Sequence, residues 1–193
     1  MGLAEVQRTL ARLYTDEALR ERFFAAPQEV ARELGLDPDD SARLAALAEQ
    51  EVRDFAAALL RKRLGHVTAL LPATAAALGA ELEPRFRRHA QRRVPSGAQK
   101  HREDAIAFAE GLAAEPALAW VQDLARCEAA RLRGEDPRTR LILRLFRYPV
   151  ATLARQLQAG TPPEKPPHRL TLGVWLRLRP GGPIRHFLWP PDP

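Results

Sequence analysis

Cysteine occurs once in the 193 residues, at Cys127, which excludes an internal disulfide and any thiolate metal cluster. Lysine is scarce as well: Lys62, Lys100 and Lys165 are the three among thirty basic residues, so positive charge is almost wholly arginine. No run approaches the ~18 consecutive apolar residues of a membrane span. Met1 to Glu5 places an acid early and opens no long apolar stretch, so the chain is expected to be soluble and cytoplasmic. A glycine-rich phosphate loop is missing; Pro180-Gly181-Gly182-Pro183 has the composition of a hairpin turn. His66, His89, His101, His168 and His186 are scattered, and none stands at a ligand spacing from a carboxylate or thiol. The expectation is a chain with no metal, no cofactor and no catalytic residues, and therefore no enzyme activity of its own. Cys127 sits on an apolar helix face and reads as an inert thiol, with Arg126 and Arg131 close enough to leave a reactive role open.

What is present is a globular composition, 46% hydrophobic and 28% charged, with a formal net charge of +6. The charge is unevenly spread. Residues 1–60 hold seven arginines against twelve acids, whereas residues 61–193 hold 23 basic residues against twelve acids. Such asymmetry suits an acidic or polyanionic partner for the later part. Leu3, Val6, Leu10 and Leu13 recur at helical spacing. Thr15 is placed to cap a second helix carrying Leu19 and Phe23, with Asp16 and Glu17 in its first turn. Pro27 and Gly35 bracket a third, Asp37-Pro38 opens a fourth, and Val52, Phe55, Leu59 and Leu60 continue an apolar stripe. The pattern from Leu13 to Leu36 loosely resembles small helical modules of ring-cleaving dioxygenase subunits and of leader peptides; a packing module with an acidic solvated face is the plainer reading.

The stretch Arg61–Leu112 organises the rest. Arg61, Lys62 and Arg63 form a cationic triplet, read as the end of a helix. Pro72 breaks the helix near Leu71, Gly79 supplies a left-handed stop, and Pro84 starts a helix to Arg93. Arg85, Arg87, Arg88, His89, Arg92 and Arg93 leave that helix only Phe86 and Ala90 as apolar residues. A helix so polar bridges domains or presents charge. Val94-Pro95-Ser96-Gly97 is a turn, and His101 to Glu115 a helix with Asp104, Ile106, Phe108 and Leu112. Trp120, Leu124 and Cys127 mark a further helix to about Arg133.

The series Arg63, Leu71-Pro72, Leu78-Gly79, Phe86, Pro95, Asp104, Phe108, Leu112, then Leu124-Ala125-Arg126 and Glu128, resembles an all-helical domain over residues 50–133. That domain, labelled DNA-binding, belongs to accessory proteins of multinuclear non-haem iron oxidative enzymes, which modify cysteines in ribosomally made peptides. Where the family usually has Leu-Glu-Trp, this chain has Cys127-Glu128-Ala129. The resemblance implies a non-catalytic accessory protein that engages a metalloenzyme partner and its precursor peptide. The alternative is a nucleic-acid-binding regulator using Arg61, Lys62, Arg63, Arg85, Arg87, Arg88, Arg92 and Arg93. The same arginines also suit a merely solvated helix face, and no helix-turn-helix signature or interleaved base-stacking aromatic accompanies them.

After Glu135-Asp136-Pro137 the period changes to two. Residues 139–148, 169–179 and 184–189 read as strands, with a helix from Val150 to Gln158 between the first two. Gly160 to Pro167 reads as an exposed, stiff linker. The fold class expected is α+β: a helical domain over 1–133 and a small domain over 134–193 with a three-stranded antiparallel sheet. On alternation, Leu141, Leu143 and Leu145 share one face with Leu170, Leu172, Val174, Leu176 and Leu178, and this aliphatic face is expected to be buried. Arg144, Phe146, Trp175 and Arg177, joined by Arg185, Phe187 and Trp189, fall on the other. That basic-aromatic face is the candidate for peptide binding, with core packing as its competitor.

Overall fold

The computed structural model describes residues 3–112, 119–161, 163 and 165–191. It is mostly helical with a small antiparallel sheet near the C-terminus, the expected α+β class. The predicted extension of the helix after His101 through 113–115 lies outside the described residues, as do 162 and 164 of the predicted linker.

The helices follow their sequence signals closely. The first, α1 (Leu3–Thr15), is followed by α2 (Glu17–Ala25), α3 (Pro27–Glu33) and α4 (Pro38–Ala45). Asp16, rather than Thr15, caps α2, accepting from Leu19 N at 2.9 Å. Thr15 still belongs to α1 and donates its hydroxyl to Ala11 O. Asp37 caps α4 through Asp40 N at 2.8 Å, and this bond to the backbone lowers the Asp37 pKa. Gly35, at φ 73, takes the left-handed conformation that ends α3. Next come α5 (Glu49–Leu70), α6 (Pro72–Leu78), a 3-10 turn (Gly79–Glu81) and α7 (Leu82–Arg92). Arg61-Lys62-Arg63 lies inside α5, which runs on to Leu70, and not at a helix end; the triplet therefore has no terminal carbonyls to neutralise.

The remaining elements are α8 (Lys100–Leu112), α9 (Ala119–Gly134), β1 (Leu141–Phe146), α10 (Val150–Gln158), β2 (Thr171–Leu176) and β3 (Arg185–Trp189). The sheet order is β1-β2-β3, antiparallel throughout.

Packing divides the chain into two compact units, Met1–Leu64 with Arg87–Val94, and Gly65–Phe86 with Pro95–Pro193. The division does not fall at 133/134, because the sheet shares its core with helices on the other side of that point. The first unit is built on Leu13, Leu19, Phe23, Val30, Leu44 and Val52. The second joins Ala73 of α6 and Leu124 and Ala130 of α9 to Ile142, Phe146, Leu153, Leu157 and Trp175. Phe86 and Phe108, in this same unit, meet edge to face with centroids 5.5 Å apart. Both are buried, as their helical spacing predicts.

One glycine decides which side of the sheet faces the helices. Gly173 lies opposite Arg144, between Phe146 and Trp175, whose rings meet edge to face. A Cβ on Gly173 would come within 2.6 Å of the Trp175 ring and 2.8 Å of the Phe146 ring. Both rings are fully or almost fully buried, so neither can swing aside. Gly173→Ala is expected to destabilise the protein by about 1–3 kcal/mol through overpacking. Urea unfolding measures this, and an unchanged midpoint would contradict the packing described.

Candidate functional site

The sheet pairs residues directly across strands, and directly opposed residues share a face. Leu141, Leu143 and Leu145 oppose Leu176, Val174 and Leu172, and these three in turn oppose Arg185, Phe187 and Trp189. This face of nine side chains, eight of them apolar, is the open one. Leu143 is 53% exposed, Leu145 58%, Phe187 56% and Trp189 69%. The expectation that the aliphatic face would be buried is thus overturned, and Phe187 and Trp189 belong with the leucines rather than with Trp175. The physical reason is that β1 and β2 carry large apolar side chains on both sides, with Arg144 and Thr171 on the inward one, so hydrophobic alternation pointed the wrong way. The bulky rings of Phe146 and Trp175, accommodated over Gly173, fill the space above α9 and α10 instead.

The four residues expected to form a peptide-binding face are accordingly core or near-core. Phe146 is fully buried and Trp175 almost so, with the Arg126 guanidinium 5.6 Å from the Phe146 ring centroid. Arg144 is half-buried and donates to Leu143 O. Arg177 is buried. Its Nε donates to Thr139 O at 3.0 Å, its Nη2 to Gly134 O at 2.6 Å and Asp136 O at 3.3 Å, and its Nη1 to Gly182 O. These acceptors come from the end of α9, the turn leading to β1 and the turn before β3. Arg177 therefore ties three chain segments together.

The basic residues of the helices stand elsewhere. Arg61, Lys62, Arg87, Arg88, Arg92 and Arg93 are exposed in the first unit. Arg63 Nη2 donates to Arg93 O at 3.0 Å, which brings the triplet of α5 against the end of α7 within that unit. Arg85 belongs to the second unit, half-buried, with Nε 3.7 Å from Glu81. Seven of the eight thus gather in one unit and the eighth does not.

Two features of the second unit had no local sequence signal. Glu128 of α9 reaches α6: Oε1 accepts from Ala73 N at 2.9 Å, and Oε2 from Thr74 N at 2.9 Å and Thr74 Oγ1 at 2.7 Å. Leu71, the residue before Pro72, makes no side-chain cap of its own, so Glu128 serves as a long-range one. Burial raises the Glu128 pKa, outweighing the bonds from Thr74 and Ala73 that favour its charged form. His66 of α5 and His101 of α8 stack with centroids 3.8 Å apart beside an open cavity of about 420 Å³, lined also by Leu70, Gln99 and Arg102. Thirty-five residues separate the two histidines, and no motif joins them. Among the described residues no three of His, Cys, Asp and Glu group as metal ligands.

The Cys127 thiol is pushed up to about 12, first by burial and then by the neighbouring Glu128 charge, with Arg131 opposing too weakly to restore it. The thiolate is the reactive form, so Cys127 is expected to resist iodoacetamide at pH 8 in the folded protein and to react readily in urea. Intact-mass measurement of both reactions checks this; rapid labelling of the native protein would contradict it.

A family model for the SCO6045-like C-terminal domain matches residues 40–114, from within α4 to just past α8, and stops before α9 and the sheet. No curated protein matches the chain. No helix of the described residues is long and apolar enough to cross a membrane.

Proposed function

We propose that this chain is a non-catalytic accessory protein of the cytoplasm, binding a partner metalloenzyme and that enzyme's ribosomally made precursor peptide. The observation that carries the reading is the sheet. A packed helical core closes one side of it, while the other side carries eight apolar side chains, six of them exposed and Val174 and Leu176 half-buried. Contiguous apolar surface of that kind marks an interaction site. Among the described residues the outer strands β1 and β3 each have one edge with no neighbouring strand, to which an extended peptide can add as a further strand. The kind of partner comes from the resemblance of residues 50–133 to accessory proteins of multinuclear non-haem iron enzymes. The SCO6045-like match covers residues 50–114 of that stretch.

The test is co-expression with a multinuclear non-haem iron enzyme from the same genome and with its candidate precursor peptide. The expected result is a complex that survives gel filtration, and peptide modification that requires this chain. An enzyme that neither binds the chain nor changes activity in its presence would reject the reading.

A second reading, nucleic-acid binding, is favoured by one observation, the Arg63–Arg93 bond that sets two arginine clusters together. It requires an affinity that falls steeply with salt, with Arg88→Glu and Arg92→Glu weakening all sequences alike. Salt-independent binding, or none, rejects it.

A further inference from the structure

We infer that the open face of the sheet is the seat for an amphipathic helix with acidic flanks, supplied by a partner protein. The inference rests on the reading of this chain as a binding protein and adds what the bound element must be.

Strands covered on one side alternate apolar with polar; strands covered on both sides are apolar throughout. In β1 (Leu141–Phe146) and β2 (Thr171–Leu176) every open-side residue is apolar, and the covered side departs from apolar only at Arg144 and Thr171, which is close to the second kind. Among the described residues a cover stands on one side alone, α9 and α10 against Ile142, Phe146 and Trp175. The other side has the make-up of an inner surface without a layer from these residues. Its dimensions suit a helix. Three strands set their outer members about 10 Å apart, and five or six residues run about 17–20 Å. A helix with side chains is about 10–12 Å across and covers that length in about 12 residues.

The charge around the face selects the helix. Residues 137–191 contain ten arginines and lysines and a single acid, Glu164. Arg185 lies on the open face opposite Leu176. Arg147 stands exposed just past β1, two residues beyond Leu145 and so on the same side of the strand, where its carbonyl accepts from Arg169 N. A second copy of this chain would bring the same arginines into contact with themselves, and like charges in one layer oppose association. Glutamate and aspartate flanking an apolar stripe satisfy the same groups. A lipid surface would also meet apolar and cationic groups, but it does not explain strands whose pattern matches a second packed layer.

The probe is an amidated helical peptide of about 16 residues, with leucine at i, i+3, i+4 and i+7 spacing and glutamate on the remaining positions. A control peptide carries lysine in place of each glutamate. Binding is read by peptide anisotropy and by the emission of Trp189, which should shift to the blue when covered. The glutamate peptide should bind saturably and the lysine peptide should not. The triple variant Leu143→Thr, Leu145→Thr, Leu172→Thr keeps strand-favouring residues and should weaken binding at least about tenfold. Arg185→Glu, which leaves the apolar face intact, should weaken it too. Unfolding midpoints within a few degrees of the parent confirm that these variants are folded.

Equal binding of both peptides, or of neither, overturns the inference. So does a dimer in sedimentation that the triple variant abolishes, which would assign the face to a second copy. Saturable binding to phosphatidylglycerol vesicles, lost in the triple variant while the peptide is ignored, would assign it to a membrane. A chain that ignores the glutamate peptide yet still captures the metalloenzyme sinks this inference alone. A chain that binds the peptide but captures no enzyme sinks the functional reading instead.

Discussion

Replacing Arg177 by methionine should cost about 3–5 kcal/mol of folding stability, a large share of the 5–15 kcal/mol typical of a domain. Methionine keeps the apolar stem of the side chain but ends short of the guanidinium, so some packing volume is lost with the charge. What disappears is a guanidinium donating to Thr139 O, Gly134 O, Asp136 O and Gly182 O. Several of these carbonyls would then be buried without a donor, and hydrogen bonds from a charged group are the stronger kind. Arg177→Lys should recover part of the loss. An ammonium has three donors on one point and cannot span acceptors contributed by three chain segments. Urea unfolding of the three proteins checks the order: arginine, then lysine, then methionine. A loss below about 1 kcal/mol for methionine would show that Arg177 is not the tie it is described to be. The result also separates two roles, since a ligand-binding arginine would lose affinity while leaving stability near its parent value.

Glu128→Ala should be the next most damaging change, at about 2–4 kcal/mol. It removes three hydrogen bonds at the start of α6, leaves Ala73 N and Thr74 N without their acceptor, and opens space beside Cys127. Glu128→Gln keeps the shape but offers one oxygen in place of two, so an N–H of the amide is turned toward a donor. About 1–2 kcal/mol should be lost. The two proteins should also differ in pH dependence. The folded-state pKa of Glu128 is raised by burial above the ordinary value of 4.5. Its favourable contribution is therefore fully present below the unfolded pKa and is lost as pH rises through the folded one. Glutamine has no such titration, so the advantage of the parent over Glu128→Gln should be larger at pH 4 than at pH 8. Paired unfolding curves at the two values check the sign, and an advantage that grows with pH would reverse it.

These two residues show how far the sequence could be read. Leu71-Pro72 and Glu128 both stood out in one pattern, more than fifty residues apart, but a pattern does not state a contact. The helix break at Leu71 was legible because proline excludes a helical neighbour. That α6 takes its cap from α9 was not, because an N-cap is ordinarily local. The strands were legible from their period of two, and so was the helix between β1 and β2. Which side faced inward was not, since Leu141, Leu143 and Leu145 are no more apolar than Ile142 and Phe146. The clue lay in Gly173, a residue without a side chain in the row that also holds Trp175, where two rings needed room. Arg177, read as a surface charge beside aromatics, proved to be a buried tie because backbone carbonyls from distant turns converge on it. The eight helix cations were legible as clusters. That Arg63 meets Arg93 while Arg85 belongs to the other unit depends on tertiary packing that no local spacing encodes.

Under the proposed function, partner binding belongs to the open sheet face and not to the arginine-rich helices. The most direct measurement compares metalloenzyme capture by three co-expressed proteins: the parent chain, the triple variant Leu143→Thr, Leu145→Thr, Leu172→Thr, and the double variant Arg88→Glu, Arg92→Glu. The parent and the double arginine variant should retain the enzyme through gel filtration while the triple sheet variant loses it. Retention by the sheet variant with loss by the arginine variant would contradict it and move the binding face to α7.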